Sequence, residues 1–178
     1  MNKIWMVLLL VLNVSIINAS TARATIFTDI KDLDKIGFGL IGSGTLKWQH
    51  NTPDGFKIPP DTVNSAALDI FLKGWNVGAD PLYVEGVKVG DVPNFLKINI
   101  FGSAKEFNFN IAPVFSPTWG GGMLDIALNY SCLDLIYLDK SKFTLDYTKA
   151  VPEPGTFVLL GFGLVAVAFV TRRRTLRQ

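Results

Sequence analysis

Five stretches of this chain carry apolar side chains at every second position. That period admits little besides strands with one buried face. Leu68, Ile70 and Leu72 alternate with Asp69, Phe71 and Lys73, and Leu96, Ile98 and Ile100 with Lys97, Asn99 and Phe101. Phe107, Phe109 and Ile111 alternate with Glu106, Asn108 and Asn110. Leu124, Ile126, Leu128 and Tyr130 form a fourth run, and Phe143, Leu145 and Tyr147 a fifth. Tyr83 to Val89 reads as a hairpin about Glu85-Gly86, a two-residue turn. Turn signals separate the runs at Thr52–Gly55, Pro59–Asp61, Asp80-Pro81, Pro93-Asn94 and Gly120–Gly122. The only helical candidate inside this region is a short one near Ile30 to Ile36. Residues 25–150 are therefore expected to form an all-β domain, an antiparallel β-sandwich or jelly roll.

The two chain ends follow different rules. Ile4 to Ile17 is almost wholly apolar and follows Lys3, as in a signal-peptide h-region. Ala22-Arg23-Ala24 fits the small-residue cleavage rule, so residues 1–24 read as a signal peptide, with an earlier cut after Ala19 or Ala22 as the alternative. At the other end, Val151-Pro152-Glu153-Pro154-Gly155 breaks any regular structure, because proline fixes φ and lacks an N–H donor. An uncharged run then reaches Thr171, followed by Arg172, Arg173, Arg174 and Arg177. The run over about residues 155–171 has the length of a short membrane-spanning helix, with its arginines retained at the cytoplasmic face. A signal helix and a transmembrane helix would thus flank the domain, with residues 151–178 as a sorting and anchor segment.

These ends dominate the composition. The chain of 178 residues has 17 Lys+Arg, 15 Asp+Glu and 49% hydrophobic residues. Without residues 1–24 and 151–178 the basic count falls to 11 and the acidic count to 14, a net charge near −3. A basic nucleic-acid footprint is absent, and disorder is excluded by the hydrophobicity.

The Pro152-Glu153-Pro154 motif, the apolar run and the arginine cluster resemble the PEP-CTERM sorting signal of Gram-negative bacteria. The resemblance implies recognition of Pro152, Glu153 and Pro154 by exosortase, with Arg172, Arg173 and Arg174 as the stop-transfer signal. It also implies an association with exopolysaccharide and biofilm matrix. Export would use the Sec machinery and signal peptidase. The protein would cross the inner membrane, be held there transiently by its tail, and end at the cell surface or outside the cell.

A second resemblance rests on Trp48-Gln49-His50, Pro59 to Ile70 and Leu82 to Val87. These stretches are similar to secreted bacterial β-sandwich domains that carry an acidic loop suited to calcium. The corresponding loop here, Lys73 to Asp80, has Asp80 as its only acid. No cofactor or metal is expected; calcium, were it bound, would use Asp80.

Catalytic residues are sparse. His50 is the only histidine. It could serve a Ser–His–Asp triad with Asp54 or Asp61, but no G-x-S-x-G elbow is present, and a surface or strand-end position is expected. Cys132, the only cysteine, can form no internal disulfide, and its neighbours Leu133, Leu135 and Ile136 suggest the core. Asp134 and Asp139 read as solvated strand ends. Trp75 and Trp119 lie in loop-like contexts where an indole could stack on a sugar, although core packing is the simpler reading. The leading expectation is an exported, non-enzymatic surface or matrix protein. A carbohydrate-binding module or adhesin is the alternative, and a secreted hydrolase the third.

Overall fold

The computed structural model describes residues 23–39, 42–97, 102–150 and 161–163. Ala24 to Lys149 form one compact unit. Its described residues form nine strands: β1 (Ala24–Phe38), β2 (Gly44–His50), β3 (Thr62–Asn76), β4 (Asp80–Val84), β5 (Val87–Val92), β6 (Phe95–Lys97), β7 (Lys105–Asn110), β8 (Leu124–Tyr130) and β9 (Leu135–Thr148). One sheet runs β1-β9-β3-β6, with β7 also pairing β3; the other runs β2-β8-β4-β5. Every pairing is antiparallel.

The pairs are nested. β4 and β5 form the central hairpin; β3 pairs β7 outside it, β2 pairs β8 outside that, and β1 pairs β9 outermost. This is a long hairpin rolled into two sheets, the jelly-roll arrangement. Its tip is the expected turn, Glu85 at φ 51° and Gly86 at φ 75°, the positive pair that a two-residue type I′ hairpin requires.

The core lies between the sheets. Leu68, Ile70 and Leu72 of β3 and Leu138, Phe143 and Leu145 of β9 face Leu82 and Val84 of β4 and Leu124, Ile126 and Leu128 of β8. Each is buried, and burying one such side chain stabilises by roughly 1.5–3 kcal/mol. Phe56, Phe115, Trp119 and Tyr147 close one end as an aromatic cluster, edge-to-face except for the tilted Phe56–Trp119 pair.

Three sequence expectations are corrected. Ile30 to Ile36 is not helical but belongs to β1, where the pairing with β9 shifts register between Asp32 and Lys35 and Asp34 takes φ 45°. The apolar spacing at Ile30, Leu33 and Ile36 imitates a helix because β1 carries apolar residues on both faces: Ile30 and Ile36 are exposed, and Leu33 lies on the partly buried face. At β6 the parity is reversed: Phe95 is buried and Leu96 is 70% exposed. Asp80-Pro81 opens β4 rather than making a turn. The ladder between β4 and β8 starts at Leu82, so the donor that Pro81 lacks falls outside that ladder.

The expected signal helix and the anchor helix over 155–171 fall outside the described residues, apart from a helical turn at 161–163. Among the described residues no helix is long and apolar enough to cross a membrane.

Candidate functional site

The outer face of the β2-β8-β4-β5 sheet carries polar side chains, since its other face supplies the core. On β2 the outward positions are Thr45, Lys47 and Gln49; on β8 they are Asp125, Ala127 and Asn129. Register places Lys47 opposite Ala127 and Ala127 opposite Tyr83, so cation, methyl and phenol form one row across three strands. Directly opposed residues share a face and touch. The short Ala127 leaves a hollow between Lys47 and Tyr83. Two hydrogen-bonded pairs bracket it: Thr45 Oγ1 donates to Asn129 Oδ1 at 2.8 Å, and Gln49 Nε2 donates to Asp125 Oδ1 at 2.7 Å.

A wall rises beside β2. The edge strand β1 presents Lys31, Leu33 and Lys35 there, and Lys35 Nζ donates to the carbonyl oxygen of Lys47. Together these elements line an open groove of about 980 Å³. Its lining holds three lysines and a single carboxylate, Asp125. Period-2 reading marks the outward positions of each strand but not which strands lie side by side, so the groove could not be assembled from the sequence.

A second constellation lies inside the sandwich. His50 does end strand β2, as one expectation had it, but it is fully buried rather than at the surface. Its Nδ1 lies 2.9 Å from Asp29 Oδ2, and its Nε2 lies 2.8 Å from Ser141 Oγ. Asp29 also accepts the Asn51 N–H at 2.8 Å. Asp29 replaces the expected Asp54 or Asp61 as the partner. The connectivity is that of a Ser–His–Asp triad, but Ser141 is itself fully buried on the inner side of β9 and does not line the groove. Burial depresses the His50 pKa below its usual value, outweighing the Asp29 hydrogen bond and charge, which raise it. For Asp29 burial acts upward, yet the Asn51 and His50 hydrogen bonds and the nearby positive charges bring its pKa below the ordinary carboxylate value.

The third polar cluster is Asp80 with Asp134. Both are fully buried, so Asp134 is not the solvated strand end expected of it. Asp134 accepts the Val77 N–H at 2.8 Å and the Ser131 N–H at 2.7 Å, which pins the β8–β9 turn to the β3–β4 loop. Asp80 Oδ1 accepts a long 3.3 Å bond from Ser131 Oγ, and its Oδ2 has no partner. Burial and then the Asp134 charge push the Asp80 pKa up to about 6. The Lys73–Asp80 loop is shorter than expected, because β3 continues through Asn76. Among the described residues no three acidic, histidine or cysteine side chains converge as for a metal.

The remaining candidates separate. Asp139 binds Lys73 at 2.8 Å. Cys132 is exposed rather than in the core, because the turn directs it and Leu133 outward. Trp48 is core, Trp119 packs against the core, and Trp75 lies on the outer face of β3 with its Nε1 donating to Leu133 O at 2.6 Å. The tryptophans thus make no common platform. Ala24 begins β1. Ala22, Pro152, Glu153, Pro154, Arg172, Arg173 and Arg174 lie outside the described residues.

No curated protein sequence matches the chain. Among solved structures it is similar to a BuGH86 variant in complex with neoagarooctaose, at 16% identity and TM-score 0.45, over 71% of this chain and 20% of that one. It is also similar to dimeric latent PorU from Porphyromonas gingivalis, at 15% identity and TM-score 0.39, over 74% of this chain and 13% of that one. A third likeness is to the infectious bursal disease virus Gt strain, at 13% identity and TM-score 0.36, over 76% of this chain and 40% of that one. The chain spans about a fifth of the length of the BuGH86 protein. Residues 150–174 match the model of the PEP-CTERM protein-sorting motif, so the chain carries a PEP-CTERM sorting signal, which implies export and exosortase-related processing at the membrane.

Proposed function

We propose that this is an exported β-sandwich protein that works by display and binding at the cell surface or in the extracellular matrix, without catalysis. The sorting motif at residues 150–174 carries the reading. Pro152, Glu153 and Pro154 would be the motif that exosortase recognises, and Arg172, Arg173 and Arg174 would arrest the apolar run at the cytoplasmic face. Signal peptidase would act near Ala22 or Ala24, and exosortase near Pro152-Glu153-Pro154. Gram-negative bacteria and exopolysaccharide production are the expected setting. The buried position of Ser141 supports a structural role for the one triad-like group. Carbohydrate binding, the second reading, is favoured by the groove on the β2-β8-β4-β5 sheet.

Intact mass of the surface or extracellular fraction tests the proposal. The mature protein should lack the N-terminal segment and the residues beyond the Pro-Glu-Pro motif. Replacing Arg172, Arg173 and Arg174 with glutamine should abolish that processing. Recovery of the full C-terminus in the mature fraction overturns the proposal in favour of a plain membrane anchor.

A further inference from the structure

We propose that the groove between β1 and the outer face of the β2-β8-β4-β5 sheet binds an acidic polysaccharide that bears carboxylates along its chain. At about 980 Å³ it sits at the upper end of the range of ligand sites, roughly 300–1,000 Å³. Its chemistry is local and opposite in sign to the domain around it. Residues 25–150 hold 11 basic and 14 acidic side chains, yet the groove gathers Lys31, Lys35 and Lys47 against Asp125 alone. Asp125 is already engaged by Gln49. Lys31 has the partly buried Asp29 at 3.6 Å, and Lys35 is held on a backbone carbonyl. Among the described residues Lys47 enters no ion pair, so its charge faces the groove uncompensated.

The rest of the lining suits a sugar ring. Tyr83 offers an aromatic face beside the Ala127 hollow, and the side chains of Thr45, Gln49 and Asn129 offer both donors and acceptors to hydroxyls. Lysine supplies a mobile point charge rather than a rigid fork, which suits carboxylates repeated along a flexible polymer. A nucleic acid would meet a domain of net negative charge, which opposes it. The inference relies on the export reading only for access to such a polymer.

The full chain, purified in neutral detergent, is titrated with polygalacturonate, with neutral dextran and with single-stranded DNA. Polygalacturonate alone should bind, and added salt should weaken it. The variant Lys31→Gln/Lys35→Gln/Lys47→Gln should bind about tenfold more weakly, as expected for three partly exposed charge contacts. Lys47→Gln alone, at an exposed position, should lose a few-fold and guards against misfolding of the triple variant. Tyr83→Ala should also weaken binding with an unchanged circular dichroism spectrum. Equal binding of dextran or DNA, absence of polygalacturonate binding, or indifference to the lysine changes overturns the proposal. Polygalacturonate binding by a chain whose tail is never cut in cells defeats the export reading alone. Correct tail processing without binding defeats the groove alone.

Discussion

Nδ1 of His50 lies 2.9 Å from Oδ2 of Asp29, which ties the last residue of β2 to the edge strand of the opposite sheet. The carboxylate can only accept, so Nδ1 donates and the neutral ring's Nε2 accepts from the Ser141 hydroxyl. Both pKa shifts are downward. A folded His50 pKa below 6.5 means that the unfolded chain takes up the proton first, so its stability contribution is complete above pH 6.5 and shrinks as pH falls below it. Asp29 contributes above 3.8 and loses that contribution as pH falls through its lower folded value. The melting temperature should therefore fall more steeply between pH 7 and 5 in the native chain than in His50→Gln, as read by circular dichroism. Parallel profiles would contradict the assignment.

The same geometry predicts chemical silence at Ser141. A fluorophosphonate probe should leave Ser141 unlabelled in the folded chain, because the hydroxyl is fully buried. Ser141→Ala strips Nε2 of its donor and should destabilise by about 1–3 kcal/mol in urea melts, the cost of a buried acceptor left unpaired. Labelling of Ser141 at a native rate would restore the hydrolase reading.

Packing fixes two positions that local pattern misread. Phe95 and Leu96 are adjacent and both apolar, so alternation alone cannot say which faces inward; pairing of β6 with β3 puts Phe95 inside. Phe95→Ala should cost about 3–5 kcal/mol, whereas Leu96→Lys should stay within about 0.5 kcal/mol. Denaturant midpoints of the two variants give the comparison, and a larger loss for Leu96 would reverse the register.

Gly74 shows why β3 looked shorter than it is. Glycine followed by Trp75 and Asn76 reads as a turn, yet pairing with β9 and β6 carries the strand to Asn76. The glycine is there because φ is +100° and a Cβ would sit 1.9 Å from the Leu135 carbonyl oxygen. Gly74→Ala should lower stability by about 1–3 kcal/mol or more, and an unchanged urea midpoint would refute that close approach. Most strands from β3 onward, the central hairpin and most inward faces were legible because period 2 is a local property of each run, whereas β1 and β2 were not read as strands. The groove was not, since Lys47, Ala127 and Tyr83 come from three strands whose adjacency only the nested pairing creates. The His50 partners Asp29 and Ser141 are 21 and 91 residues away and belong to the opposite sheet, so nearness in sequence pointed wrongly to Asp54 and Asp61.

Asp80 works against stability at neutral pH. Its carboxyl is buried beside Asp134, one oxygen has no partner, and its pKa is pushed up to about 6. A raised folded pKa means that the native state holds the proton longer than the unfolded chain, so stability declines as pH rises from 3.8 to about 6. A shift of two units corresponds to a penalty on the order of 2–3 kcal/mol above that window. Asp80→Asn removes the charge and keeps the shape, so it should raise the melting temperature at pH 7.5 and have little effect near pH 4. This term runs opposite to those of His50 and Asp29, and the Asn variant should therefore lose stability more steeply than the native chain as pH falls from 6 to 4. Calcium needs six to eight oxygens, and with two carboxylates here, calcium and chelator should leave the native melting temperature nearly equal. Destabilisation by Asp80→Asn at pH 7.5, together with a calcium-dependent melt in the native chain, would instead make Asp80 a metal ligand.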